Sequence, residues 1–355
     1  MGYEVSVELL HNGEWTMSQT YAGLDVSDKS THVCVVAEDG KVVWRGVCAT
    51  DPMALATTLN KHCRGVFRVV LETGSLSSFL YHGLIERGVP AICICARHAK
   101  GVLSARVNKS DAHDAEGLAQ LARTGWYKAV HIKDGATHMD RAQLKVREQL
   151  IKTHRAMANQ LRGLLKLFGL RMGKVTTPGK RSERLEILFD QKPELRSIFT
   201  PLIDGLAALE KQIRVSSRAI MARAAADPVC PRLMSAPGVG PITALTFKCS
   251  IEDPARFARG ADVGAYAGLV PRRTQSGERD VKGRISKAGD PMLRSALYEA
   301  ANNLLSRVKK ASPLQTWGKA LVAAKGAKRA RVAVARKMAV LLHKLWRTDT
   351  DFEWA

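Results

Sequence analysis

Acids are scarce in this chain. Its 355 residues hold 33 Asp and Glu against 55 Lys and Arg, a formal net charge of +22. An excess of that size points to a polyanionic partner, nucleic acid before any other. It is not gathered in one tail: residues 141–186 carry twelve Lys and Arg against three Glu, and more bases cluster at Lys325–Lys337. Zinc-spaced cysteines are lacking too. Cys34, Cys48, Cys63, Cys93, Cys95, Cys230 and Cys249 are odd in number and scattered, mostly inside apolar runs. They read as reduced core thiols of a cytoplasmic protein, not as disulfides or metal ligands. No apolar run reaches the roughly 18 residues of a membrane span. Residues 1–18 lack a basic start and a continuous apolar core, so they are expected to be a flexible extension and no signal peptide. With 46% hydrophobic residues, the chain is globular and long enough for two or three domains.

The centre of the chain is Asn108-Lys109-Ser110-Asp111-Ala112-His113-Asp114-Ala115-Glu116. Leu118, Leu121 and Ala122 give the following segment a helical stripe, with Ser110 or Asp111 as its cap. The i, i+3 spacing sets Asp111 and Asp114 on one face, where two like charges need a cation or a shared proton. Helix capping alone is the competing explanation of the pair. Upstream, strands are expected at Tyr21–Val26, Thr31–Ala37 and Lys41–Val47, the last two joined by the Glu38-Asp39-Gly40 hairpin turn. A helix at Asp51–His62, a strand at Val66–Glu72, a helix at Leu76–Arg87, a strand at Ala91–Cys95 and a basic connector Arg97–Lys109 follow. Three antiparallel strands and then strand–helix–strand–helix is the order of an RNase H-like (RuvC-like) α/β domain. In that fold the first and fourth strands are neighbours, so acids at their ends meet acids on the last helix. Asp25, Glu72, Asp111 and Asp114 occupy those places. Asp is depleted in strands, and four acids at such ends point to a divalent-metal site. Mg²⁺ (or Mn²⁺) suits such oxygen ligands, and a pair ~4 Å apart can clamp attacking and leaving oxygens in phosphoryl transfer. Asp28 is expected to shape a turn, and His113 to face away from the acids.

From about Asp140 to Ala225, Leu144, Leu150, Ile151, Met157, Leu161 and Leu165 recur at helical spacing between bases. A long helix to Phe168 is expected, then a loop at Thr176–Gly179 and helices over Ser182–Phe189 and Pro193–Ala225. This basic spacer is either a coiled coil that joins copies of the chain or a plain helical subdomain. The turn Pro237-Gly238-Val239-Gly240 between helical runs resembles a helix–hairpin–helix, whose backbone N–H groups approach phosphate. A tight helix–helix turn is the competing explanation. The loop Arg272–Arg279 is polar and basic, and a strand-like Val281–Ile285 follows it. Arg272, Arg273, Arg279, Lys282, Arg284 and Lys287 are its candidate nucleic-acid contacts. Ser276, within that loop, is a weak nucleophile unless a base or metal activates it. Helices from Pro291 and over Lys325–Trp346 close the chain, the last with Val332, Val334, Met338, Leu341, Leu342 and Leu345 inward.

The motifs GLDVSD around Asp25, LETG at Glu72 and KSDAHDAEGLA at Asp111 and Asp114 resemble the RuvC-like half of DEDD insertion-sequence transposases. PGVGPITA, AYAGLVP and SGERDVKGRISKAGDPMLRSALYEAA resemble the second half of that family. This is the insertion-sequence one-hundred-ten type, with its eleven-eleven subgroup, and the likeness runs in order from Tyr21 to Trp346. It implies a DNA recombinase that uses a non-coding bridge RNA to select target and donor DNA. It implies that Asp25, Glu72, Asp111 and Asp114 hold Mg²⁺ and that Ser276 attacks the phosphodiester to give a transient phosphoserine. It further implies a homo-oligomer, dimer to tetramer, in which one subunit's acid domain completes its site with another's serine domain. A bacterial, nucleoid-associated location follows. Many relatives double the serine before the glycine, whereas here Gln275 precedes Ser276.

The expected division is an extension (1–18), a RuvC-like domain (19–139), a helical spacer (140–226) and a mostly helical C-terminal domain (227–355). Three rivals stay open. A RuvC-like junction endonuclease would hydrolyse with water and need no serine. A non-catalytic RNA- or DNA-binding protein would keep only the fold. A tyrosine recombinase would use Tyr266, whose place in an apolar AYAGL run favours packing instead.

Overall fold

A computed structural model describes residues 7–9, 15–17, 19–63, 65–104, 110–175 and 177–354. The chain divides into two compact units, Met1–Lys133 and Asp134–Ala355.

The first unit is a three-layer α/β sandwich. Its sheet holds β3 (Thr20–Val26), β4 (Ser30–Ala37), β5 (Val42–Ala49), β6 (Val66–Glu72) and β7 (Ala91–Ile94), in the spatial order β5-β4-β3-β6-β7. The first three strands pair antiparallel, and β6 and β7 pair parallel. The first and fourth strands of the sheet, β3 and β6, are therefore neighbours, as the order of elements implies. Alternation along the strands sorts side chains to two faces. Ala22, Leu24, Val33, Val69 and Leu71 bury against α1 (Pro52–His62) and α2 (Ser77–Ile85). Tyr21, Cys34, Val36, Val70 and Ile94 bury against α3 (Ala96–Leu103) and α4 (Asp111–Thr124). Most of the expected basic connector is therefore the helix α3, which buries Ala99; residues 105–109 lie outside the described residues. Most of the expected N-terminal extension lies outside them too, but β1 (Val7–Leu9) and β2 (Trp15–Met17) pair as a short antiparallel ribbon.

The second unit begins with α5 (Gly135–Leu167), α6 (Pro178–Gln191) and α7 (Leu195–Ala225). Arg223 Nε donates to Asp140 at 2.9 Å, Arg147 Nε to Ser217 at 2.8 Å, and His154 pairs with Glu210 at 2.9 Å. Those pairs run down one helix and up the other, so α5 and α7 are antiparallel. α6 starts at Pro178, four residues earlier than expected, because Thr177 caps it and Pro is at home in a first turn. Leu161, Leu165, Leu188, Phe189 and Phe199 form the core of this arm. A second core joins the base of α7 to α8 (Cys230–Ser235), α9 (Pro241–Ile251), α10 (Gly260–Tyr266), α11 (Pro291–Ser306) and α13 (Ala327–Thr348), with α12 (Pro313–Lys325) packed beside it. Gly238, at φ +86°, sits so close to α11 that a Cβ would meet the Ala300 carbonyl oxygen at 2.6 Å. In this turn one glycine is thus required by packing against α11. β8 (Pro271–Ser276) and β9 (Arg279–Ile285) form an exposed antiparallel ribbon.

All seven cysteines are free thiols. Burial pushes Cys63, Cys230 and Cys249 up to about 12 and Cys93 up to about 11, so these four stay protonated at neutral pH. Cys95 differs: backbone N–H groups of α3's first turn hold it below the usual thiol range, against a small burial penalty. Tyr266 packs as expected, 5.3 Å from the Phe257 ring. Among the described residues no helix is long and apolar enough to cross a membrane.

Candidate active site

The acids of the first unit are set by strand alternation and by one glycine. Asp25 shares its sheet face with Tyr21 and Gly23, and Glu72 shares the same face with Val70; Tyr21 and Val70 bury beneath α4. Leu24 pairs with Leu71 across the parallel β3–β6 ladder, so Asp25 and Glu72 leave the ends of adjacent strands on the α4 side. Asp25 lies opposite His32 in the antiparallel β3–β4 ladder. Gly23 lets the helix close on the sheet: a Cβ there would meet the Ala115 carbonyl oxygen at 2.2 Å and the Ala119 nitrogen at 2.3 Å. Ser110 begins α4, its hydroxyl accepting from the His113 N–H at 3.3 Å. The expected choice between Ser110 and Asp111 as cap thus falls to Ser110. That leaves Asp111 and Asp114 in the first turn. Asp111 Oδ2 stands 3.8 Å from His32 Nε2. His113 is half-buried and its Nδ1 is shielded from solvent.

Side-chain ties keep the helix in place. Arg68 Nη1 donates to the Ala122 carbonyl at 2.8 Å, Gln120 to the Gly40 carbonyl at 2.7 Å, and Arg45 to Glu116 at 2.6 Å. Asp28 sits exposed in the turn between β3 and β4.

The structure thus brings Asp25, Glu72, Asp111 and Asp114 to one face and one end of the sheet. By donor chemistry, an all-carboxylate set suits a hard divalent cation such as Mg²⁺. The side chains do not converge into a ligand cage. Among the described residues no group of three or more His, Cys, Asp or Glu stands close enough to hold a metal ion. His32 is the site neighbour that sequence reasoning missed. Its only signal is register, two residues before Cys34 on the same face of β4.

Ser276 belongs to the second unit. The residues expected as a loop form β8 and the turn into β9, whose Val281–Ile285 is the strand expected there, and Ser276 pairs with Arg279 at the ribbon's tip, around Gly277 at φ +55°. Both strands are exposed on both faces, which removes the alternation that marks a strand. Among the described residues the Ser276 hydroxyl makes no hydrogen bond, so nothing on the ribbon activates it. Arg273 is held by Asp280 at 2.8 and 2.9 Å, and Arg272 donates to the Ser286 carbonyl at 3.2 Å. Arg279, Lys282, Arg284 and Lys287 are exposed. The base of the ribbon is rooted by two close backbone approaches. A Cβ on Gly289 would meet the Tyr266 carbonyl oxygen at 1.9 Å, and one on Gly268 the Ala288 carbonyl oxygen at 2.1 Å.

Comparison with known proteins agrees with both halves. A DEDD-type transposase model matches residues 22–169, and one described as the transposase IS116/IS110/IS902 family matches residues 230–315. The transposase for insertion sequence element IS1111A of Coxiella burnetii is 32% identical over 91% of this chain and 88% of its own length. A probable family 20 transposase of Pseudomonas aeruginosa is 31% identical over 69% of this chain and 74% of its own length. The Thermus thermophilus RuvC structure is 15% identical over 31% of this chain and 99% of its own, with a TM-score of 0.23, too low to argue from. The chain belongs to the IS110 family of insertion-sequence transposases.

Proposed function

We propose that this transposase cuts and exchanges DNA strands through a phosphoserine on Ser276, with a bridge RNA choosing the target and donor DNA. The observation that carries the catalytic half is the placement of Asp25, Glu72, Asp111 and Asp114 on one face at one end of the sheet. Those four carboxylates would hold Mg²⁺ or Mn²⁺, which when bound would offset negative charge on the phosphodiester and favour an ionised hydroxyl. The Ser276 proton leaves to a base, its Oγ bonds phosphorus, and the bond from phosphorus to one sugar oxygen breaks as that oxygen takes a proton. A hydroxyl of the other strand then reverses the step at the Ser276 phosphate, so strands are exchanged with no net hydrolysis. The exposed bases of the ribbon, Arg279, Lys282 and Arg284, support a role beside a phosphate backbone. The need of Ser276 for an activating group supports the tetramer, in which the acids of one subunit serve the serine of another.

A second reading has one observation in its favour. Among the described residues Ser276 has no activating neighbour on its own ribbon, and a RuvC-like junction endonuclease would attack with water instead. A trapping assay separates the two. Protein, the element's non-coding RNA, a labelled DNA junction and Mg²⁺ are mixed and denatured. DNA linked to wild-type protein but not to Ser276→Ala is expected. Cleavage without an adduct, unchanged in Ser276→Ala, would establish hydrolysis by water.

A further inference from the structure

α13 presents two faces. Val334, Met338, Ala339, Leu342 and Leu345 are buried in the core of the second unit. Arg329, Val332, Ala333, Arg336, Lys337 and Val340 follow i, i+3, i+4, i+7, i+8 spacing and form a second stripe. That stripe, whose Val332 also packs half-buried against the core as its sequence pattern implies, is one wall of an open groove of about 1210 Å³. The opposite wall carries Lys282 and Arg284 of β9 and Lys287 just beyond it, and Leu269, Ile285 and Trp317 add apolar lining between the walls. The volume exceeds the ~300–1,000 Å³ usual for small-molecule pockets, and the groove is open to solvent.

Its chemistry is two-sided. Lys328, Arg329, Arg336 and Lys337 line one edge, three further cations line the other, and no Asp or Glu lines either. Lys337 Nζ lies 3.9 Å from the centroid of the Trp317 ring, setting a cation beside an aromatic face. A duplex keeps its base faces stacked inside and offers phosphates and groove edges, so an apolar, aromatic floor gains little from it. An unpaired strand offers phosphates and bare base faces together, which is what basic rims over an apolar, aromatic floor bind.

We propose that the groove between β9 and α13 holds a single-stranded segment of nucleic acid, its backbone along the two basic edges and its bases against Trp317, Ile285 and Val340. This rests on the reading of the chain as a nucleic-acid recombinase, and it adds where an unpaired strand is gripped.

The test is fluorescence anisotropy on the full chain, with labelled single-stranded RNA, single-stranded DNA of the same sequence and the matching duplex, across a salt series. Arg329→Glu and Lys282→Glu take one exposed charge from each wall, so folding is kept, and circular dichroism checks it. Each is expected to weaken single-strand binding roughly tenfold and to flatten the log–log salt slope by about 0.7 for each phosphate no longer neutralised. Duplex binding should change little. Trp317→Leu, which keeps the bulk of the floor, should weaken single-strand binding without changing that slope. The strand, RNA or DNA, whose binding falls further identifies the source of the segment. Unchanged single-strand binding in all three variants overturns the groove and leaves the recombinase reading intact. Equal weakening on duplex overturns the single-strand assignment. A changed sedimentation coefficient with unchanged binding would make the occupant a second copy of the chain. A wild-type protein that binds no nucleic acid at all would overturn both readings.

Discussion

Glu72 ends β6 beside Asp25, and neither acid is needed for the core, whose buried side chains on that face are Tyr21, Val70 and their neighbours. Glu72→Gln keeps shape and removes the charge, so binding of nucleic acid should persist while strand cleavage falls by at least ~10²-fold. Anisotropy and gel cleavage on one preparation read the two; retained cleavage would remove Glu72 from the site. Asp290 makes the opposite case, an acid that is structural. Burial raises the cost of its charge, but Arg141 at 2.7 Å, the Met292 N–H at 2.9 Å and Ser250 at 3.0 Å together hold its carboxyl below the usual range. A depressed native pKa adds stability above the unfolded value near 3.8 and loses it as pH falls through the native one. Asp290→Asn keeps the helix cap but leaves the Arg141 charge without its carboxylate, with only 16% of its side chain exposed, so about 3 kcal/mol of stability should be lost at pH 7. Denaturant unfolding at pH 7 and at pH 3 should show that gap narrowing in acid. An equal gap at both would mean poorer packing, not a missing charge.

Among elements, α4 depends on a glycine it does not contain. A Cβ on Gly23 would overlap the backbone of α4, which cannot yield as a side-chain tip can. Gly23→Ala should therefore push the first turn of α4 from the strand ends, cost about 1–3 kcal/mol, and cut cleavage more than the reduced stability alone would. Gly163→Ala, inside α5 near its C-terminal end with open space around it, should instead stabilise by about 0.5–1 kcal/mol. Unfolding of both variants measures the contrast, and a neutral Gly23→Ala would show that α4 is not clamped there. The same elements mark what could be read from the chain. β3, β4 and β6 are legible because β-branched and apolar residues alternate over a two-sided core. α3 is not, because Arg97, His98 and Lys100 mask its few inward residues, Ala99 and Val102. β9 shows in its Val281–Ile285 run, but β8 escapes because a strand wet on both faces has no alternation to show. The acids are legible as ends of strands and the start of a helix, but His32 becomes a neighbour of Asp111 only once two strands are in register.

For the whole molecule, the acids and Ser276 lie in separate compact units of the chain. The proposed oligomer requires that a site draw its acids from one subunit and its serine from another, which makes a mixing experiment decisive. Glu72→Gln leaves Ser276 intact, and Ser276→Ala leaves the carboxylates intact. Each should be inactive alone. If sites are completed between subunits, a mixed assembly contains some sites with both good halves, and cleavage should return to a measurable fraction of wild type. If each chain completes its own site, every site in the mixture carries one defect and no activity should return. Adduct formation scored on the two chains, made different in length by a tag, adds a sharper reading. The DNA should be linked only to the chain with Glu72→Gln, because that chain alone supplies a serine. An adduct on the Ser276→Ala chain would place the nucleophile elsewhere, whichever chain completes the site.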